Sequence, residues 1–182
     1  MRFGEHADGE LDDIDLRLLM LLQEDCRTSL ARLGTQVGLS APAVLERIKK
    51  LEVASVITGY RAILDSRRVG LDITAFIGVL MSHPSLITAF ERCVIDFDDV
   101  LECHHVTGEY TLLLKVKAAN TSSLEQLISR IRSIEGVGRT ETMVVLSTHV
   151  ERVQLAVHPH EPPSGSTSKR PRRNGERNLR RA

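Results

Sequence analysis

Two hydrophobic periods divide this chain and limit what it can fold into. Up to about residue 53, apolar side chains return every third or fourth position, the spacing of one helix face. They are Ile14, Leu18, Leu21 and Leu22, then Leu30, Leu33 and Val37, then Val44, Ile48 and Leu51. Beyond residue 71 that period is interrupted by runs alternating every second position, the first being Ile73, Ala75, Ile77, Val79 and Met81. Helices come first and strands mixed with helices follow, so an α+β chain in two parts is expected. The ends carry neither period. Residues 1–10 read as a flexible leader. Residues 158–182 combine Pro, Gly, Ser and Arg with almost no apolar side chains, and a disordered basic tail is expected there.

The first part, residues 11–56, reads as three short helices. Asp12 and Asp13 suit the positive end of a first helix over about 12–24. Thr28 is a candidate N-cap for the second, and Gly38 a left-handed stop after it. Ser40 then caps the third, with Pro42 tolerated in its first turn. The turn Val37-Gly38-Leu39-Ser40 between two helices fits a helix-turn-helix of the winged type, whose last helix would enter a DNA major groove. Three-helix units also serve as plain bundles, and spacing leaves both readings open. The β-rich run Val56 to Leu64 follows, leading into a β linker over 57–70. Its flanking Arg61, Arg67 and Arg68 suit either phosphate contact or a solvated linker.

Residues 71–157 repeat strand and helix patterns: a strand over 73–81, a helix over 84–97, strands over 100–107 and 110–117, and a helix over 122–133 opened by Ser122. Strands over 139–147 and 150–157 complete the series, and a tight turn at Gly108-Glu109 joins the second strand to the third. The order βαββαβ plus one strand is the ferredoxin-like arrangement, with both helices on one face of an antiparallel sheet. Both alternate side-chain sets of the third and fourth strands are rich in apolar groups (Leu112, Leu113, Leu114; Met143, Val144, Val145). A dimer closing the second face is therefore expected.

With 182 residues, each part can bury a core without disulfides or metals. No stretch approaches the ~20 apolar residues of a membrane span, and the polar N-terminus lacks the apolar core of a secretory signal. The three cysteines share no close spacing, which suggests buried or half-buried thiols in a reducing cytoplasm. Cys103, His104 and His105 are adjacent, but strand neighbours face opposite ways, so no metal site is expected. No nucleophile–base pairing or phosphate loop stands out, so neither an enzyme nor a cofactor is expected. Net charge is zero, yet residues 161–182 hold seven cations against two carboxylates, a balance of +5 that leaves −5 elsewhere.

Several runs carry a resemblance. They are Leu11-Asp12-Asp13-Ile14-Asp15, Val37-Gly38-Leu39-Ser40, Arg47-Ile48-Lys49-Lys50-Leu51-Glu52, Val56-Ile57-Thr58-Gly59-Tyr60, and Glu102 through Tyr110. In this order and spacing, over residues 11–155, the chain resembles the leucine-responsive / asparagine-operon (Lrp/AsnC) regulators. The resemblance implies a helix-turn-helix domain and a ferredoxin-like ligand domain. It implies dimers that build tetramers, octamers or larger rings. It also implies free amino acids as effectors, bound between neighbouring ligand domains. Glu46 stands where the family often has a basic residue, and Ser55 where it has Gly.

On double-stranded DNA, Ser40, Ala41 and Ala43 would meet base edges and phosphates at the start of the recognition helix. Arg47 would reach guanine, with a surface ion pair as the alternative, and Lys50 a phosphate. Thr28, Ser29 and Gln36 would bond phosphates from the second helix, or act as caps and plain surface. The resemblance places the effector at the segment from His104 to Tyr110. There Gly108 permits close backbone approach, and N–H groups of Val106, Thr107 and their neighbours hold a carboxylate. Glu109, where the family commonly has Asp, receives an ammonium group. Thr111 replaces a frequent acid, and Thr148 would contribute across an interface; a purely structural hairpin is the alternative. The expected function is a cytoplasmic, nucleoid-associated, sequence-specific transcriptional regulator modulated by a small effector. An architectural DNA-binding protein with little sequence specificity is the alternative.

Overall fold

A computed structural model describes residues 11–157, so the leader and the basic tail lie outside the described residues. The chain divides into two compact units: one runs to Tyr60 and takes in the segment from Val153, the other is Arg61–Arg152.

In the first unit, α1 (Asp13–Glu24), α2 (Leu30–Val37) and α3 (Ala41–Val53) enclose Leu18, Leu21, Leu33, Val44 and Ile48. Each such side chain contributes roughly 1.5–3 kcal/mol when fully withdrawn from water. Asp12 forms a capping box with Asp15: its carboxylate accepts from the Asp15 N–H at 2.8 Å, and the Asp15 carboxylate accepts from the Asp12 N–H at 3.3 Å. The N-cap of α2 is Ser29, not Thr28, because the Ser29 hydroxyl is the one that accepts from the Arg32 N–H. Gly38 ends α2 at φ 73°, and Ser40 caps α3. The turn is tight: a Cβ on Gly34 would collide with the Leu39 carbonyl oxygen.

One ion-pair cluster fastens α3 to α1. Arg47 Nη1 lies 2.7 Å from both Asp12 Oδ2 and Asp15 Oδ1. The N–H of Asp15, then the Arg47 guanidinium, hold the Asp12 carboxyl below the usual carboxylate range. Arg47 is thus occupied within the unit, as in the ion-pair alternative, because α3 packs with this residue facing the start of α1.

No strand or wing forms between residues 54 and 72, and the run Val56 to Leu64 is irregular. A β-prone run needs a partner strand to satisfy its backbone, and none is at hand. Instead Val56 and Ile57 N–H groups fold back on the Leu51 carbonyl, Ile57 packs on the helical core, and the Tyr60 hydroxyl donates to Glu52 at 3.0 Å. Partial burial, then the Glu52 carboxylate, pushes the Tyr60 phenol up to about 12. Ser55 makes the reversal at φ 56°, a left-handed conformation.

The second unit is a four-stranded antiparallel sheet, order β2-β3-β1-β4, built from β1 (Ile73–Met81), β2 (Val100–His105), β3 (Leu112–Ala118) and β4 (Val137–Val144). On one face α4 (Ile87–Ile95) and α5 (Thr121–Arg132) bury Phe90, Val94, Leu127 and Ile131 against Ile77, Val79, Leu114 and Val116. This is the expected βαββαβ order with changes at the edges. A short 3-10 turn at Pro84–Leu86 precedes α4, since Pro84 starts a new turn. Asn120 caps α5 by accepting from the Ser123 N–H at 2.9 Å, which displaces Ser122 from that role. The turn after β2 is a longer loop over 106–111. The fifth strand over 150–157 does not form: the ladder on β1 ends where the Val145 N–H donates to Thr74, and the chain leaves the sheet edge. Glu151 then meets Lys115 of β3 at 2.5 Å. The three cysteines are free and exposed rather than buried.

Two outcomes follow for the helical unit. Replacing Ser55 by Gly relieves a left-handed side chain and should raise stability by about 1 kcal/mol in denaturant titration. Asp12, whose pKa is depressed on folding, contributes stability that is complete above the ordinary Asp value of ~3.9 and is lost as pH falls through the lower folded value. Asp12→Asn keeps an N-cap acceptor, so acid titration of this variant should show a flatter loss of helical signal below about pH 4.

Candidate functional site

The helix pair α2–α3 offers one candidate surface. At the start of α3, the Ser40 hydroxyl accepts from the Ala43 N–H at 3.4 Å, and Ala41 and Ala43 are half-buried, so this end is lined by short side chains. Lys50 is exposed but pairs with Glu46 one turn back at 3.0 Å; Glu46 is therefore partly neutralised. At the start of α2, Thr28 donates to Asp25 at 3.2 Å and Ser29 serves as the cap, while Gln36 is exposed. Ser40, Ala41, Ala43, Thr28 and Ser29 lie at the two helix starts, Gln36 near the end of α2 and Lys50 in the last turn of α3, while Arg47 is engaged by α1. Sequence reasoning missed Arg27, Arg32 and Lys49, which are exposed and have no carboxylate partner among the described residues. Spacing held a signal: Arg32 and Gln36 are one turn apart on α2, and Pro42, Leu45 and Lys49 share the exposed side of α3.

The second candidate is the loop 106–111 on the sheet face away from the helices. It is closed by the half-buried Val106, whose N–H donates to the Thr111 carbonyl at 3.1 Å, and by the Thr111 N–H donating to Val79 at 2.9 Å. Thr111 is structural: its hydroxyl also accepts from the Met81 N–H. Between these ties, the N–H groups of Thr107, Gly108, Glu109 and Tyr110 have no acceptor among the described residues. Gly108 has φ 122°, outside what other residues readily adopt. The Tyr110 ring lies on Gly78 of β1, so close that a Cβ there would be 2.7 Å from the ring.

Charges surround this loop. Arg139 of β4 lies 3.5 Å from Glu109 and 3.0 Å from Glu141. Glu141 raises the Tyr110 phenol above its ordinary value. His104 is exposed on β2, 3.1 Å from Glu102, whose carboxyl is held low first by His104 and then by Lys115. Thr148 is not brought to the loop. Register pairs Val144 with Ala75 and Leu112 with Val79, so the chain beyond β4 and the loop sit at opposite ends of the sheet. The sequence pointed to Glu109 and Tyr110 but missed Arg139, Glu141 and Gly78. A glycine inside a strand was the available signal for close approach.

Both parts of the chain match known families. Residues 11–52 match the AsnC-type helix-turn-helix domain, and residues 74–155 match the Lrp/AsnC ligand binding domain. The HTH-type transcriptional regulator FL11 of Pyrococcus furiosus is 31% identical over 149 residues, covering 82% of this chain and 98% of the relative. The leucine-responsive regulatory protein of Rhizobium meliloti is 36% identical over 151 residues, 81% of this chain and 97% of the relative. The structure of the feast or famine regulatory protein from M. tuberculosis complexed with L-methionine superimposes with a TM-score of 0.75 at 34% identity, covering 80% of this chain and 98% of that one. Relatives named as regulators favour regulation over enzymatic activity or DNA compaction. This chain belongs to the Lrp/AsnC family of helix-turn-helix transcriptional regulators.

Proposed function

We propose that this regulator binds double-stranded DNA as a cytoplasmic homo-oligomer and is gated by a free amino acid held at the loop 106–111. One observation carries the effector reading: the acceptor-free N–H groups of Thr107 to Tyr110 stand beside the carboxylates Glu109 and Glu141. Successive N–H groups around a positive-φ glycine hold a carboxylate, and a nearby acid holds an ammonium group. A zwitterion presents both. The M. tuberculosis relative complexed with L-methionine supports an amino acid as the effector. Tyr110, resting on Gly78, and Val106 border the side-chain space, and His104 flanks it from β2. Thr148 lies at the far end of its own sheet, so in this reading it reaches the effector only from a neighbouring protomer.

On DNA, the short side chains Ser40, Ala41 and Ala43 let the start of α3 approach base edges. Lys49 and Lys50 meet phosphates from α3, and Thr28, Ser29, Arg32 and Gln36 do so from α2. Arg47 holds α3 at its angle to α1 and does not read guanine. The oligomer rests on the uncovered sheet face, where Phe76, Leu80, Leu113 and Met143 lie together by register, with Leu80 and Met143 each 41% exposed.

Fluorescence anisotropy on the chain's own promoter and a scrambled duplex should show preference for the promoter, shifted by a mixture of amino acids. Gly78→Ala displaces the Tyr110 ring and should abolish that shift while leaving effector-free binding within about twofold; an unchanged shift would remove the loop from the site. Met143→Lys places a charge in the sheet face and should lower the solution mass measured by light scattering, from a dimer or larger assembly to a monomer. An unchanged mass would move the interface elsewhere.

A further inference from the structure

We propose that Leu45 is a base-reading residue: its side chain, on the outer side of α3, packs on the C5 methyl group of a thymine in the DNA major groove. The inference rests on DNA binding by α2–α3 and adds a specificity-determining contact to it. It starts from what α3 has left to offer. Arg47 is held by Asp12 and Asp15, and Lys50 pairs with Glu46 one turn back. Glu52 accepts from the Tyr60 hydroxyl, and the Ser40 hydroxyl accepts from the Ala43 N–H. Val44, Ile48 and Leu51 are buried. Among the described residues, the exposed side chains of α3 that remain uncommitted are Pro42, Leu45, Lys49 and Val53. Arg47 is the sole arginine of α3, so none is left there for a bidentate contact with guanine.

Place and accessibility single out Leu45 from these four. It is 39% exposed, and it belongs neither to the core of the helical unit nor to the side chains packed against that core. It lies about 6 Å along the helix axis from Ala41, at 1.5 Å per residue. That is the part of a recognition helix that faces base edges, whereas Val53 stands in the last turn. With Ala41 and Ala43 short, Leu45 is the longest apolar side chain in the first two turns of α3 that the core does not claim. Lys49 follows one turn later on the same side, where an ammonium group can meet a phosphate beside the groove.

The chemistry of the groove names the base. Adenine, guanine and cytosine present hydrogen-bond donors and acceptors there, and thymine adds an apolar group, its C5 methyl. A leucine pressed on that methyl removes apolar area from water on both partners. Pressed on an exocyclic amine or carbonyl, it strips a polar group of water and returns no hydrogen bond, which costs free energy. Leu45 therefore favours thymine and rejects the other bases at its position by the same contact. Lys49 adds attraction without sequence information, so the preference belongs to Leu45.

The test uses the full chain and duplexes that it selects from a randomised pool. Each half-site should hold a thymine at one fixed position. Replacing that thymine by deoxyuridine in one half-site removes the methyl group and keeps every hydrogen-bonding group. In fluorescence anisotropy the natural chain should lose about fourfold in affinity on this replacement, the share of one buried methyl group. Leu45→Ala should weaken binding to the thymine duplex and bind the two duplexes alike. A folding defect would lower both affinities and leave their ratio unchanged, so the ratio reports the contact itself. Leu45→Met keeps an apolar arm and should retain most of the ratio. A ratio near one in the natural chain at every selected thymine would overturn the proposal, as would a ratio that persists in Leu45→Ala. A pool in which no sequence is enriched would remove sequence reading by α2–α3 as a whole. A pool enriched without any dependence on the methyl group would leave that reading standing and remove Leu45 from it.

Discussion

Burial on one side only is the constraint on which both units depend. Each unit closes a single apolar face: Leu18, Leu33 and Val44 among three helices, and Ile77, Leu114 and Val116 beneath Phe90 and Ile131. With aromatic residues at 3%, these cores are filled by aliphatic side chains, which need regular elements to interdigitate. The one-sided solution fixes where function can lie. Two helix starts and the outer sides of α2 and α3 remain exposed. In the sheet, the face away from the helices carries Glu102, His104, Arg139 and Glu141 beside Phe76 and Leu113. Polar networks and an apolar stripe share that face because no helix claims it.

Within the helical unit, charge serves geometry before it serves DNA. Arg47 sits on the helix that would read bases, yet its two carboxylate partners belong to the capping box of α1. That arrangement joins three tasks: Asp12 caps a helix, Asp15 returns the cap, and both set the angle of α3. Any side chain that reaches DNA from α3 therefore does so from a helix aligned by an ion-pair cluster. Lys49, exposed and unpaired among the described residues, is free for contact in a way Arg47 is not.

The sequence was most readable where periodicity and burial agree. Residues 73–81 alternate cleanly and form β1 over those same residues, and Gly38 ends α2 and Ser40 begins α3 as their chemistry requires. It was least readable where an element needs a partner that only the tertiary structure supplies. The runs over 56–64 and 150–157 have β-forming residues but no neighbouring strand within the described chain, and they stay irregular. Arg47 was legible as a cation but not as a committed one, because its acids lie more than 30 residues away in sequence. The loop at Gly108 was legible from its glycine. Arg139 and Glu141 were not, since they arrive through the register of β4 on β1.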